Sequence, residues 1–383
     1  MTDTGSALAG AMVKSTLNTS AHGHSYFRWY VPSRVEPSSD HPGGATCFAP
    51  ARNPGYLGEP SQLPGPFFDG HRCSTHSCLL NDRLYRGYSR RQIEWFDQYS
   101  RHVTSATEPP PYDPTQYKGS APFYLKGRPP YSRKLRQTIA VECRLDGTGR
   151  LLDVGSGPGV LAVELAPVVE EAIGLEPDAD MLVEAARHAT EAHLANISWV
   201  QGLAEEIPNL DLGTFRLVTF GQSFHRTDRE RVAEAVYELL EPDGSILLVA
   251  HCVEGRPKPP GPGLPEIPHE AIRSLIGRYL GSLSRSGQGV AAPPVDRWED
   301  ALGRTRFGRP RHIFAPGRPD IVQDVDGVLA NYLSMSYAAP HLFGNRLEQF
   351  EAEVRQELTK WSPSGLFWDW PGDTEIAIAA KST

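Results

Sequence analysis

The sequence contains no long apolar run, and cysteine is scarce in it. A membrane-spanning helix needs about 18 or more consecutive apolar residues, so we expect no membrane span. The short apolar segment near the first residue has no basic lead-in and is a poor signal peptide. These absences predict a cytoplasmic protein.

The five cysteines are irregularly spaced and form no disulfide framework. Free buried thiols are the usual state of cysteine in a cytosolic protein. A short early segment that contains His71, Cys73, His76 and Cys78 has the residue types of a zinc site, but it lacks a second ligand pair. We therefore favour an unstructured stretch there and predict no metal.

Excess positive charge is also absent, because the formal net charge is −8. Nucleic-acid binding usually requires a basic face, so we expect no nucleic-acid partner. The aromatic and apolar content of the later segments instead predicts a small organic partner. The oligomeric state is left open between monomer and homodimer.

Residues 1–102 differ from the rest of the sequence. They are rich in Pro, Gly, Ser, His and Arg and show no sustained helical or strand periodicity, which predicts a loosely structured or disordered extension. The four methionines lie at positions 1, 12, 181 and 335, so no methionine start codon lies between the extension and the catalytic core. One hypothesis therefore places the native start near Val103, at an alternative initiation codon. The rival is a genuine extension, whose best helical candidate is Ile93–Tyr99.

The segment Leu151–Gly159, LLDVGSGPG, combines a buried strand with a glycine turn. Leu151, Leu152 and Val154 are typical of a parallel strand covered on both faces. Three glycines then permit a sharp turn and close approach of a ligand to the backbone. The following helix directs its free N–H groups to the same place, which predicts a nucleotide-cofactor pocket.

The residues around this turn distinguish between cofactors. The Lys-Ser/Thr of a phosphate loop is absent, and Val160 stands where a dinucleotide motif has Gly or Ala. Asp153 would repel a pyrophosphate but attract the methionyl ammonium of S-adenosylmethionine. Glu176 ends the next strand, where a carboxylate can accept hydrogen bonds from both ribose hydroxyls. Dehydrogenases have an acidic residue at the same place, so Glu176 alone does not distinguish S-adenosylmethionine from a dinucleotide.

With these motifs the chain resembles the class I S-adenosylmethionine-dependent methyltransferases of the bacterial small-molecule type, over residues 115–383. The matching segments are LLDVGSGPG, GLEPDADML, WVQGLAEEIP, RLVTFGQSFHRTDRERV and LLEPDGSILLVAH. The resemblance implies an α/β, Rossmann-like, seven-stranded, mostly parallel sheet with an antiparallel last strand and helices on both faces. It also implies a core at residues 103–252, a helical cap and substrate-binding insertion with a late core strand at 253–345, and a C-terminal helix and edge strand at 346–383. The amphipathic spacing of that helix predicts that it packs on the sheet.

The resemblance further implies which residues hold the cofactor S-adenosyl-L-methionine. The glycine loop holds the methionine part, Glu176 the ribose, and Met181 packs near the adenine. Leu203 follows the third motif where many relatives carry an acidic residue, so adenine recognition passes to Ala204 or Glu205. The predicted cofactor-binding residues are Asp153, Gly155, Ser156, Gly157, Glu176, Pro177, Met181, Ala204, Glu205, Gln222, Arg128 and Tyr131.

Two further segments carry functional side chains. In Ala121–Ser132 the paired prolines stiffen the backbone. The resemblance implies that this stretch folds over the cofactor, with Arg128 at the methionyl carboxylate and Tyr131 beside the site; the alternative is a rigid N-terminal cap. His225, after the fourth core strand, is the candidate catalytic base; the alternative is a histidine that only shapes the turn. His251 is a second candidate.

Two other functions stay open. A protein of this sequence could bind S-adenosylmethionine without transferring its methyl group, as a regulator or a non-methylating catalyst. An NAD(P)-dependent oxidoreductase is less favoured, because Asp153 and Val160 both disagree with a dinucleotide site.

Overall fold

The computed structural model describes residues 112–281 and 297–382 in full, together with the backbone of four short strands at 14–19, 25–30, 285–286 and 289–290. The zinc-like segment, the helical candidate at 93–99 and the hypothetical start near Val103 lie outside these residues. In the part of the chain described here, no helix has both the length and the hydropathy required to span a bilayer.

Strands and helices alternate through the core, as the order of apolar runs and turn residues predicts. The strands are β1 Lys14–Thr19, β2 Ser25–Tyr30, β3 Arg150–Val154, β4 Glu171–Glu176, β5 Ile197–Gln201, β6 Phe215–Gly221, β7 Leu240–Cys252, β8 Arg285–Ser286, β9 Gly289–Val290, β10 Arg311–Ala315, β11 Val322–Asp324, β12 Leu366–Trp368 and β13 Asp373–Ala380. The helices are α1 Ala121–Gly127, α2 Leu135–Glu142, α3 Val160–Leu165, α4 Ala179–Glu191, α5 Arg229–Leu239, α6 His269–Leu280, α7 Trp298–Gly303, α8 Val325–Leu333, α9 Pro340–Phe343 and α10 Leu347–Trp361.

The main sheet has the order β1-β2-β5-β4-β3-β6-β7-β13-β10. Strands β3 to β7 pair in parallel, and β13 runs antiparallel to β7. The segment from β5 to β10 is the predicted seven-stranded, mostly parallel sheet with an antiparallel last strand, and that prediction is confirmed.

The last strand does not lie at the edge, which corrects the sequence analysis. β13 pairs with β7 on one side and with β10 on the other. Thr374–Ala379 is buried throughout, whereas β10 begins with two exposed residues. A strand covered on both faces suits the interior of a sheet, so the more polar β10 takes the edge.

Part of the N-terminal extension joins the opposite edge of the sheet. β1 and β2 pair antiparallel, and β2 pairs with β5 at Arg28 opposite Val200. These two backbone segments extend the seven core strands to nine. They lie inside the region that composition assigns to a loose extension.

Helices cover both faces of the sheet, as predicted. One apolar core packs α5 and α7 on one face, and a second packs α2, α3 and α4 on the other. Both cores close beneath the carboxyl ends of the parallel strands, where ligands bind in open α/β sheets.

The cap has an apolar core of its own. Helix α10 was expected to pack on the sheet, but its buried residues Phe350, Val354 and Leu358 pack with α6 and α8 instead. The amphipathic spacing determines which face is buried and leaves the partner undetermined. Helix α1 approaches α8 so closely that a Cβ at Gly127 would lie 2.1 Å from the backbone nitrogen of Asn331.

Candidate active site

The glycine loop between β3 and α3 has left-handed backbone at Gly155, Gly157 and Gly159, with φ of 64°, 53° and 79°. A Cβ at Gly155 would lie 2.6 Å from the Cβ of Ser223, and one at Gly159 would lie 2.4 Å from the Trp199 ring. A Cβ at Gly157 would meet no atom of the described residues within 4 Å. The outer glycines are therefore required by packing, while Gly157 borders an open cleft.

Glu176 lies on the other side of this cleft. Its carboxylate accepts hydrogen bonds from the backbone N–H of Gly157 at 2.8 Å and of Asp178 at 3.1 Å. Burial raises the pKa of Glu176 to about 7, against the lowering effect of both hydrogen bonds. Each oxygen keeps a second lone pair, so the carboxylate can still accept the hydroxyls of a ribose.

Asp153 is placed differently from the expectation of a direct ligand contact. Its side chain is 1% exposed, and its two oxygens accept from the Thr219 hydroxyl at 2.8 Å and the Ala162 N–H at 3.2 Å. Burial raises its pKa to about 7. The carboxylate joins β3 to β6 and to the first turn of α3, and it would act on a cofactor through its charge.

The predicted ribose and adenine residues lie around the start of α4 and the end of β5. Met181 is buried, and its N–H bonds to the capping carboxylate of Asp178. The Pro177 carbonyl accepts from the Gln201 amide at 3.1 Å. Ala204 begins a 3-10 helix, Ala204–Asn209. In that helix the Glu205 carboxylate accepts from the Asp228 N–H at 2.8 Å, which ties this segment to the start of α5.

The segment that leads into α2 lies over β7. The ring of Tyr131 stacks on His251, and its hydroxyl is hydrogen-bonded to the Gln222 side chain. The His251 Nε2 lies 3.3 Å from the Pro129 carbonyl. Because a carbonyl can only accept, Nε2 carries the proton. Burial lowers the pKa of His251 to about 4, and its Nδ1 is buried without a hydrogen-bond partner.

Arg128 points toward the cap. Its guanidinium donates to the Ser334 carbonyl at 3.0 Å, at the end of α8, and lies over the Tyr124 ring. A cation at a helix C-terminus is favourable, so this contact also anchors α1 to α8. The Nε of Arg128 is buried and makes no hydrogen bond to the residues that the structure describes, which leaves a donor for a ligand.

The residues after β6 form the remaining wall. Gln222 has φ of 54°, which is costly for a residue with a side chain, and its N–H donates to Val249. His225 keeps exposed surface, yet the surrounding protein excludes enough water to lower its pKa to about 4, and Arg226 and Arg229 act in the same direction. Asp228 caps the start of α5, where its carboxylate accepts from the Arg231 N–H.

Sequence reasoning missed several residues of this region. Thr219 bonds Asp153 across 66 positions, and Tyr112 lies near enough to Glu176 and Asp178 for both charges to raise its pKa. Trp298 lines a cavity of about 210 Å³ with residues from the ends of β6 and β7. The aromatic content of these segments was the available signal, but it does not show where distant segments meet.

Among the described residues, one trio has atoms close enough to hold a metal ion: Glu299, His312 and Glu375. Two of these are already paired with each other, because the His312 Nδ1 lies 2.7 Å from the Glu375 carboxylate. Arg297 donates to both oxygens of Glu299. The side chains of Glu299, His312 and Glu375 are therefore already paired with one another or with Arg297 and do not need a metal ion to balance their charges.

Residues 151–244 match the family described as a methyltransferase domain. The chain is 34% identical over 111 residues to the uncharacterized methyltransferase YcgJ of Bacillus subtilis, covering 29% of this chain and 43% of that protein. It is 30% identical over 98 residues to the ubiquinone biosynthesis O-methyltransferase of Acinetobacter baylyi, covering 25% of this chain and 41% of that protein. The chain thus spans less than half the length of these two relatives.

Two solved structures are also similar. The crystal structure of YcgJ covers 64% of this chain and 97% of its own at 17% identity, with a TM-score of 0.37. A putative methyltransferase from Bacillus halodurans covers 65% of this chain and 100% of its own at 17% identity, with a TM-score of 0.38. Residues 151–244 are thus similar to methyltransferase domains, and the glycine loop and strand order lie within or around this matched region.

Proposed function

We propose that this protein transfers a methyl group from S-adenosylmethionine to an O, N or C atom of a small organic molecule. The observation that carries the proposal is the open space at Gly157 beside the Glu176 carboxylate. A glycine loop without a side chain, a helix N-terminus and an acceptor for ribose hydroxyls together fit an adenosyl cofactor.

The cofactor-binding residues have distinct roles in this proposal. The backbone at Gly155, Ser156 and Gly157 lines the methionine part. The buried Ser156 hydroxyl has no hydrogen-bond partner among the described residues, so a bound ligand can provide one. Glu176 accepts the ribose hydroxyls, and Pro177, Met181, Ala204 and Glu205 border the adenine. Asp153 holds the loop in place, and its pKa of about 7 makes its negative charge depend on pH near neutrality. Gln222, Arg128 and Tyr131 close the methionine side.

S-adenosylmethionine supplies an electrophilic methyl group on a positively charged sulfur. An acceptor atom that displaced this methyl group would leave the electron pair of the carbon–sulfur bond on sulfur. When the acceptor carries a proton, His225 is the group that takes it. Its pKa of about 4 keeps the imidazole unprotonated near neutral pH but also makes it a weaker base than an ordinary histidine. Holding the acceptor in line with the methyl group provides much of the rate.

Other features support a small acceptor. One relative is named as an O-methyltransferase of ubiquinone biosynthesis, which supports an oxygen acceptor. The net charge of −8 opposes binding to a nucleic acid. We further propose that the protein acts in the cytoplasm, as a monomer or homodimer, in keeping with the free thiols of Cys143 and Cys252.

Calorimetric titration of the full chain with S-adenosylmethionine, S-adenosylhomocysteine and NAD tests the cofactor. We expect both sulfur ligands to bind, NAD to give no response, and Glu176→Ala to lose the binding. Asp153→Ala should weaken it through the loop. Preference for NAD, or no binding of either sulfur ligand by a folded protein, would overturn the proposal. Binding of S-adenosylmethionine without turnover across an acceptor screen would favour a non-methylating role.

A further inference from the structure

A cavity of about 210 Å³ lies at the carboxyl ends of β6 and β7. It adjoins the cofactor cleft through Ser223, which lines the cavity and also packs on the glycine loop, where its hydroxyl donates to the Val154 carbonyl at 2.5 Å. A molecule in this cavity would therefore lie next to the place where the methyl group is expected.

Aromatic side chains form much of the cavity wall. Phe220 and Phe224 meet edge to face, with centroids 5.1 Å apart and planes at 73°, and Trp298 contributes a third ring. Leu248 adds an aliphatic surface that is 1% exposed. Aromatic rings prefer such edge-to-face and offset contacts with a further ring, so the wall suits a flat aromatic ligand.

Among the described residues that line the cavity, the polar groups come from residues 222–225, and none is Asp, Glu, Lys or Arg. No lining residue offers an ionised ligand a partner of opposite charge, and loss of its water is then costly. Arg226 and Arg229, which lower the pKa of His225, lie outside the lining. A hydroxyl, in contrast, can donate to the imidazole of His225 or to the Gln222 amide oxygen. The cavity has polar side chains on one side and apolar rings on the other, which matches a ligand that consists of one ring with one hydroxyl group.

The volume limits the size of the ligand. An apolar cavity of about 150 Å³ accommodates benzene, and sites for drug-sized ligands span roughly 300–1,000 Å³. A cavity of about 210 Å³ therefore holds one substituted ring.

We propose that this cavity is the acceptor site and that it selects an uncharged, single-ring aromatic molecule with a hydroxyl group. This inference rests on the proposed function, because it assigns the methyl acceptor of that reaction to a chemical class. The ring packs against Phe220, Phe224 and Trp298, and the hydroxyl is directed toward His225.

The test uses the full chain saturated with S-adenosylhomocysteine and three matched probes: 4-methylphenol, 4-methylcyclohexanol and 4-methylbenzoate. Binding is measured by ligand-observed NMR titration. We expect 4-methylphenol to bind at least tenfold more tightly than the saturated or the anionic probe. If 4-methylphenol binds no more tightly than the other two probes, the inference is overturned. The proposed function still stands in that case, provided that S-adenosylhomocysteine binds. Failure of S-adenosylhomocysteine to bind would instead contradict the proposed function.

Two variants locate the site. Trp298→Leu keeps an apolar side chain but removes the ring, and Ala250→Leu fills the cavity from the β7 wall. Both should weaken phenol binding at least fivefold without changing the Kd for S-adenosylhomocysteine, which also reports that the fold is intact. Trp361→Leu is the control, because Trp361 is 53% exposed on α10. If phenol binding survives both cavity variants, the site lies elsewhere and the inference fails.

Discussion

The ring of Tyr131 stacks on the imidazole of His251, with centroids 4.8 Å apart and planes inclined by 22°. The contact joins the segment before α2 to the end of β7, and the His251 Nε2–H bonds to Pro129 of the same segment. Residues 128–131 are therefore held over the carboxyl edge of the sheet from two directions, beside Gln222.

Replacing His251 with Ala should loosen this cover. The variant loses the ring stack and the hydrogen bond to Pro129, so the free energy of unfolding should fall by about 1–3 kcal/mol. Amide hydrogen exchange across residues 121–134 should accelerate more than exchange in β3 or β4. Arg133→Ala is the control, because its ion pair with Asp320 is exposed and contributes little. Unchanged protection in His251→Ala would show that the stack does not hold the segment.

The glycine loop offers a paired test of packing against binding. Gly157→Ala places a methyl group in open space, so it should cost only about 1–2 kcal/mol for the left-handed backbone. Its affinity for S-adenosylhomocysteine should nevertheless fall at least tenfold. Gly159→Ala directs its methyl group into Trp199 and should lower the melting temperature much further. Wild-type affinity in Gly157→Ala would place the cofactor elsewhere.

Cofactor affinity should depend on pH through Glu176. Burial raises the pKa of this carboxyl to about 7, and ribose hydroxyls favour the ionised form. Binding should then release protons near neutral pH, and affinity should rise with pH up to about 7 and level off above it. Calorimetry in buffers of different ionisation enthalpy measures the release. Glu176→Gln should bind more weakly and lose its share of the proton release; an undiminished release would assign it to another group.

Asp153 should make the fold less stable as pH rises. Its pKa is raised from 3.8 to about 7 by burial, so the native state keeps a proton that the unfolded chain has lost in this range. Stability should therefore fall between pH 5 and 7, on the order of 2 kcal/mol for one such group. Asp153→Asn should remove its share of this dependence in urea denaturation, while the share of Glu176, whose pKa is also raised to about 7, remains. The control is Asp146→Asn, because Asp146 is exposed and its pKa is lowered by Thr148. Parallel pH profiles for wild type and Asp153→Asn would refute the assignment.

His225→Ala should lower kcat for a hydroxylated acceptor by about 10²–10⁴ if the imidazole accepts the proton. Because the pKa of His225 is lowered to about 4, its contribution to the pH profile should be flat above about pH 5. The rate is followed as release of S-adenosylhomocysteine. Added imidazole should restore part of the activity, and a residual rate close to wild type would leave His225 with a role in shaping the pocket only.

Much of the core could be predicted because its signals are local. Leu151, Leu152 and Val154 are buried as the apolar run predicts, and the glycines after them take the positive φ that the turn needs. Asp228 caps α5 from a position next to it in sequence. Residue type alone, however, does not determine the direction of a buried carboxylate. Asp153 accepts a hydrogen bond from Thr219 on a neighbouring strand, and no spacing in the sequence predicts that pair.

The sequence by itself determined the succession of strands and helices, the glycine loop and the acidic ends of β3 and β4, since these follow from periodicity and steric freedom within a few residues. Only the tertiary structure decided that β13 lies between β7 and β10, that α10 packs on the cap, and that Trp298 meets Phe220 beside His225. The physical reason is that an apolar face requires burial without specifying its partner. The partner depends on which distant surfaces fit together in the folded chain.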